Sequence, residues 1–187
     1  QSNTETTTEP TLIPAGAYSP TSDITLYAVY QRTETTEGAG TTEVTKTVSI
    51  SDYASAKSWN NENRYTTVNI DANITATASS NPATNTGKYY SNDNSWRFYQ
   101  NETGKLTITA NEGITLKSIT LTFTNKDSGT ISYNSNSCTS NTAISVSGQS
   151  ATFTVGSSSG SKGKILITKI SVTYESTSGG GSTTYYH

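Results

Sequence analysis

Charge, sulfur and long apolar runs are all scarce in this sequence. Of its 187 residues only 14% are charged, one is cysteine, one is histidine and none is methionine. No apolar run approaches the roughly 20 residues that cross a bilayer as a helix, so no membrane insertion is expected in this segment. Twelve Lys and Arg stand against 14 Asp and Glu, a formal net charge of -2. The basic residues are scattered and form no stripe, which argues against the electrostatic footprint of a nucleic-acid binder. The single cysteine, Cys138, excludes an intrachain disulfide framework and reads as an incidental thiol in a polar loop. The single histidine is the last residue, His187. A Ser or Cys nucleophile therefore has no internal imidazole to serve as its base. A chain that opens at Gln1 without methionine reads as an excerpt or a processed product.

What fills the gap is Ser, Thr, Asn and Gly, together with 12 Tyr. Disordered chains pair low hydrophobicity with high net charge. Here the polarity is uncharged and the apolar residues alternate, a combination that fits an extracellular β-protein, secreted or at a cell surface.

The alternation is readable along most of the chain. Ile24, Leu26, Ala28 and Tyr30 share one face of a strand whose partners are not in this sequence. A Thr/Glu/Gly linker follows over 32–45, with its flexible point at Glu37-Gly38-Ala39-Gly40. From Lys46 the pattern changes. Val48 and Ile50 alternate, and Asp52 reads as the N-cap of a short helical turn through Ala54 and Ala56. Short strands then recur. They cover Val68 and Ile70, Ile74 to Ala78, Trp96 to Gln100, Leu106 to Ala110, Leu116 to Thr124, Thr130 to Tyr133, Ala143 to Ser147, Ala151 to Val155 and Lys164 to Tyr174. Gly, Asn and Asp turns separate them, a spacing that indicates an all-β sandwich. The expected fold is a jelly-roll-like antiparallel β-sandwich over 46–175 with one helical turn. Its core stripes are Leu106 and Ile108; Ile119, Leu121 and Phe123; Ala151, Phe153 and Val155; and Ile165 and Ile167 followed by Ile170, Val172 and Tyr174. Residues 176–187 read as a Gly/Ser-rich linker to a further module.

Nothing in the sequence assembles a catalytic centre, and no cofactor is implied. Paired carboxylates do glycosidase chemistry, but Asp52, Asp71, Asp93 and Asp127 each sit where turn or cap chemistry explains them. Asp71 with Asn73, and Asp93 with Asn94, offer hard oxygen ligands of the kind calcium takes; two acids in different loops are too few to assign a metal. Trp59 reads as a plug between helix and sheet. The informative segment is Gly87 to Gln100, which gathers Tyr89, Tyr90, Trp96, Phe98 and Tyr99 around Arg97, Asn92 and Asp93. Such sets bind sugars: an aromatic ring lies against the apolar face of a pyranose while amides, acids and Arg bond its hydroxyls. The competing reading makes the aromatics core or lid. Alternation puts Trp96 and Phe98 on the core face and Arg97 and Tyr99 on the other. The expected ligand face is therefore Tyr89, Tyr90, Arg97 and Tyr99, with Asn92 and Asp93 on its rim.

Two segments resemble known modules. Pro14-Ala15-Gly16-Ala17-Tyr18 followed by Asp23-Ile24-Thr25-Leu26-Tyr27-Ala28-Val29-Tyr30 resembles the closing segment of the internalin B-type, or Listeria–Bacteroides, repeat over residues 11–31. The resemblance implies a truncated β-grasp-like remnant at 1–31, further domains on both sides, and a bacterial surface protein. Ile50-Ser51-Asp52-Tyr53-Ala54, Trp59-Asn60, Gly87-Lys88-Tyr89-Tyr90 and Trp96-Arg97-Phe98-Tyr99-Gln100, with the strands ending at Phe123 and Tyr174, are similar to a module common in large secreted proteins of gut-type bacteria. That resemblance implies a sandwich with a surface role and no assigned activity. The function expected is a non-catalytic extracellular module with a glycan as its partner, binding or adhesive. The alternative is a structural spacer in a tandem-module stalk.

Overall fold

In the computed structural model, residues 6–8, 31–35, 40–160, 162–177 and 182–186 are described. The strand expected over 24–30, the repeat remnant around it and the Gly-containing turn at 37–39 lie outside the described residues. The chain divides into two units, one of Thr41–Thr177 and one of Gln1–Gly40 with Ser178–His187. In the second of these, β1 (Gln31–Thr35) is part of an antiparallel ladder in which Gln31 faces Tyr186 and Thr35 faces Ser182.

The larger unit begins with β2 (Thr41–Ser49) and α1 (Ile50–Ala56). Next come β3 (Thr67–Asn69), β4 (Ile74–Ser79), β5 (Lys88–Tyr90) and β6 (Ser95–Tyr99). A single 3-10 turn, Gln100–Glu102, leads to β7 (Lys105–Ala110), β8 (Ile114–Lys126) and β9 (Gly129–Tyr133). The unit closes with β10 (Asn136–Ser137), β11 (Ala143–Ser145), β12 (Ser150–Ser157) and β13 (Lys164–Thr177); β14 (Ser182–Tyr186) belongs to the other unit. All pairings are antiparallel, in two sheets ordered β10-β9-β12-β7-β4-β3 and β11-β8-β13-β6-β5, with β2 also on β13. The larger unit is all-β but for α1 and the 3-10 turn, and sandwich-like. It is jelly-roll-like in that the chain crosses from one sheet to the other at most connections.

The sandwich forms because period-two alternation gives each sheet one apolar face, which finds cover only on the other. Leu106, Ile108, Ala151, Phe153, Val155 and Ile131 are buried from the first sheet. Trp96, Phe98, Ile119, Leu121, Ile165 and Ile167 are buried from the second. The stripe on β13 changes parity, from Ile165 and Ile167 to Ile170, Val172 and Tyr174. An unbroken strand would send one of these sets into solvent. The pairing of β13 with β8 shifts register between Ile167 and Lys169, so Thr168 is an extra residue and both sets face inward. At this bulge the other edge of β13 passes from β6, paired through Ile167, to β2, paired from Lys169.

The sequence placed three boundaries differently. The sandwich starts at Thr41, not Lys46, because residues 41–45 of the expected linker pair with 173–177. Val44 is the only apolar residue of that stretch and packs partly buried against the core, too little to give an alternation to read. In the expected C-terminal linker, Ser176 and Thr177 close β13 and 182–186 form β14. Finally, α1 begins at Ile50 with Ser49 at its N-cap, and Asp52 lies inside the first turn, where its charge suits the helix dipole. Ile50 and Ala54, one turn apart, are the residues it buries.

Two carboxylates hold turns of the sandwich. Glu102 is only 2% exposed. It accepts from the Asn85 and Thr86 amides at 2.9 and 2.6 Å and from Asn85 Nδ2 at 2.7 Å. Burial pushes its acidity down, but these bonds outweigh burial and hold its pKa below the usual carboxylate value. Asp71 accepts from the Asn73 and Ile74 amides through Oδ1 and from the Tyr174 hydroxyl through Oδ2 at 2.6 Å. Its oxygens are thus engaged in holding the turn.

Candidate functional site

The strand pair β5–β6 divides the aromatic segment between two environments. Tyr89 faces Trp96 across the pair, and Lys88 faces Arg97. Trp96 and Phe98 are 0% exposed, with ring centroids 4.9 Å apart in edge contact. The Trp96 indole N–H donates to the carbonyls of Tyr65 and Gly87 at 2.8 and 2.9 Å. Tyr89 is 6% exposed. Its hydroxyl donates to Asn94 Oδ1 at 3.1 Å, and its ring meets Trp59 edge-on at 5.8 Å. Trp59 in turn stacks on Tyr65 at 4.2 Å and touches Tyr53 and Trp96. Tyr89 therefore leaves the expected ligand face. It is the central residue of a three-residue strand, and alternation turns it inward.

Gly87 sets up this strand. Its φ is +93°, and an added Cβ would lie 2.9 Å from the Tyr65 carbonyl oxygen. Only glycine reaches this conformation and lets the two backbones approach.

Tyr90, Arg97 and Tyr99 lie together on the outer face. The Arg97 guanidinium sits 3.6 Å from the centroid of the Tyr90 ring. Such a cation–π contact is worth about 0.5–2 kcal/mol, depending on how dry it is. Arg97 also ion-pairs with Asp93 Oδ2, reaches Asn92 Oδ1 at 3.5 Å and donates from Nε to Ser95 Oγ at 3.3 Å. Ser95, fully buried, donates to the other Asp93 oxygen. Burial raises the Tyr90 pKa, and its bond with the Tyr99 side chain raises it further, against the lowering pull of Lys88 and Arg97. Five of the six expected residues thus converge, with Asn92 and Asp93 on the rim.

The register adds residues that the sequence reading did not single out. Arg97 faces Leu166 of β13, and Tyr99 faces Lys164. Leu166 faces Thr124 of β8, and Lys164 faces Lys126. Leu166 is 4% exposed yet lies on the outer face, so the side chains around it close over it. Which strand neighbours β6 is a tertiary fact, and no local signal names it.

Other candidates resolve as structure. Cys138 is half-buried, and burial pushes its thiol pKa up, away from the thiolate form a nucleophile needs. Among the described residues, no group of three or more His, Cys, Asp and Glu is placed to hold a metal ion. None of the helices among them is long and apolar enough to cross a membrane. No family model, curated protein or solved structure matches the chain.

Proposed function

We propose that the chain is a non-catalytic, extracellular glycan-binding or adhesive module, and that Tyr90, Arg97 and Tyr99 form its binding face. The observation that carries this reading is the Arg97 assembly. The guanidinium is fixed by Asp93, Asn92 and Ser95 and stacked on Tyr90, with Tyr99 beside it. A face already rigid loses little side-chain entropy on binding, which is what shallow, hydroxyl-rich ligands demand. The polar but weakly charged sequence composition and the likeness of residues 11–31 to a bacterial surface repeat support an extracellular setting.

Chain connectivity favours display over spacing. Thr41 pairs with Thr177, so the chain enters and leaves the sandwich on hydrogen-bonded neighbours. A spacer in a stalk gains length by placing its two ends far apart. A module whose ends are adjacent adds none, but it presents its remaining surface freely.

The test is a glycan array probed with the full chain and with Tyr99→Ala. The native chain should bind a restricted set of glycans weakly, and the variant should lose them while keeping its thermal midpoint. Retention of every hit by Tyr99→Ala would place the site elsewhere, and an empty array would leave the module without the proposed ligand class.

A further inference from the structure

We propose that the outer face of β5, β6, β13 and β8 takes an anionic glycan, with Lys88, Arg97, Lys164 and Lys126 meeting its carboxylate or sulfate groups and Tyr90 and Tyr99 its rings. This rests on the glycan reading above and names the ligand class.

The argument is the register of like charges. Lys88 stands directly opposite Arg97, and Lys164 directly opposite Lys126. Directly opposed residues on one face of an antiparallel pair have Cβ atoms about 4.5–5.5 Å apart, and like charges there destabilise the sheet. Two such pairs share this face in a chain with only 12 basic residues. Nothing in the packing asks for them: Ser118, Thr120, Thr122 and Thr124 fill the outer face of β8 without charge, and Lys117 beyond them is paired with Glu175. A bound anion is what turns this cost into a gain.

The neighbouring acids do not cancel the excess. Asp93 pairs with Arg97 and Asp127 with Lys164. Among the described residues Lys88 and Lys126 have no ion-pair partner, so four cations face two carboxylates. The chain as a whole carries a formal charge of -2, so the positive excess is local. Its field is felt within the face: Lys88 and Arg97 act on the Tyr90 hydroxyl, and Lys126 and Lys162 act with Lys164 on Asp127. The cations flank the tyrosines, with Tyr99 directly opposite Lys164. Four adjacent strands at about 4.8 Å spacing give a track roughly 14 Å wide, suited to linked sugar rings.

The experiment titrates the full chain with polygalacturonate, dextran sulfate and neutral dextran, at low and high salt. It compares the native protein with the Lys88→Gln/Lys126→Gln variant and with Tyr99→Ala. An acidic polymer should bind, neutral dextran should not, and salt should weaken the binding. The double Lys variant should lose about tenfold or more in affinity with a thermal midpoint no lower than native, since each change relieves a like-charge pair. Preference for one acidic polymer assigns the anion as carboxylate or sulfate. Equal binding of a neutral glycan by native and Lys variant would overturn the inference and leave the glycan reading standing. Dextran sulfate binding that ignores Tyr99→Ala would mark plain polyanion condensation and overturn it too. No binding to any polymer, with an empty array, would remove both.

Discussion

Replacing Trp96 by alanine should bring the sandwich to the edge of unfolding. The side chain is fully buried and packs on Phe98 and Trp59. Truncating a core aromatic to alanine costs about 3–5 kcal/mol through lost transfer energy and the cavity left behind. The Tyr65 and Gly87 carbonyls lose their indole donor as well. The Gly87 carbonyl keeps the Tyr65 amide as a donor, and the Tyr65 carbonyl, left without the indole, adds about 1–3 kcal/mol. The sum rivals the whole stability of an ordinary domain, about 5–15 kcal/mol. Denaturant melts should show the midpoint collapsing for Trp96→Ala and barely moving for Tyr99→Ala, one residue from Phe98 on the same strand. A native-like midpoint for Trp96→Ala would mean that β6 faces the other way.

The second large effect separates two deletions three residues apart on β13. Removing Ser171 forces Val172 and Tyr174 onto the outer face, since a one-residue slip inverts every side chain beyond it. Each buried apolar side chain lost costs roughly 1.5–3 kcal/mol, so this deletion should abolish cooperative unfolding. Removing Thr168 instead takes out the extra residue of the bulge. Ile167, Lys169 and Ile170 then alternate as an unbroken strand, and the domain should still melt cooperatively. Equal damage from the two deletions would show that Thr168 is not the surplus residue.

These contrasts mark what the sequence carries and what it does not. Both apolar sets of β13 are legible in the sequence, read there as one stripe, because each alternates long apolar side chains. The bulge reconciling them follows from the pairing with β8. Strand β2 is not legible over 41–45 because Val44 alone is apolar there, and one residue makes no alternation. Tyr89 and Tyr90 were inseparable for a related reason: Lys-Tyr-Tyr has no polar–apolar alternation, and the pairing of Tyr89 with Trp96 decides which ring turns inward. Strand β6 is longer and alternates Trp and Phe with Arg and Tyr, so its own sequence turns Arg97 and Tyr99 outward. The cationic neighbours Lys164 and Lys126 come from strands far along the chain. Only the order β8-β13-β6-β5 brings them beside Tyr99.

The most direct measurement is chemical-shift mapping of the full chain against a saturating bound glycan. Perturbations should concentrate at Lys88, Tyr90, Arg97, Tyr99 and Lys164. Thr107, Thr109 and Thr152, on the outer face of the other sheet, should stay in place. Shifts centred on those threonines, or none along β5 and β6 at saturation, would contradict the site.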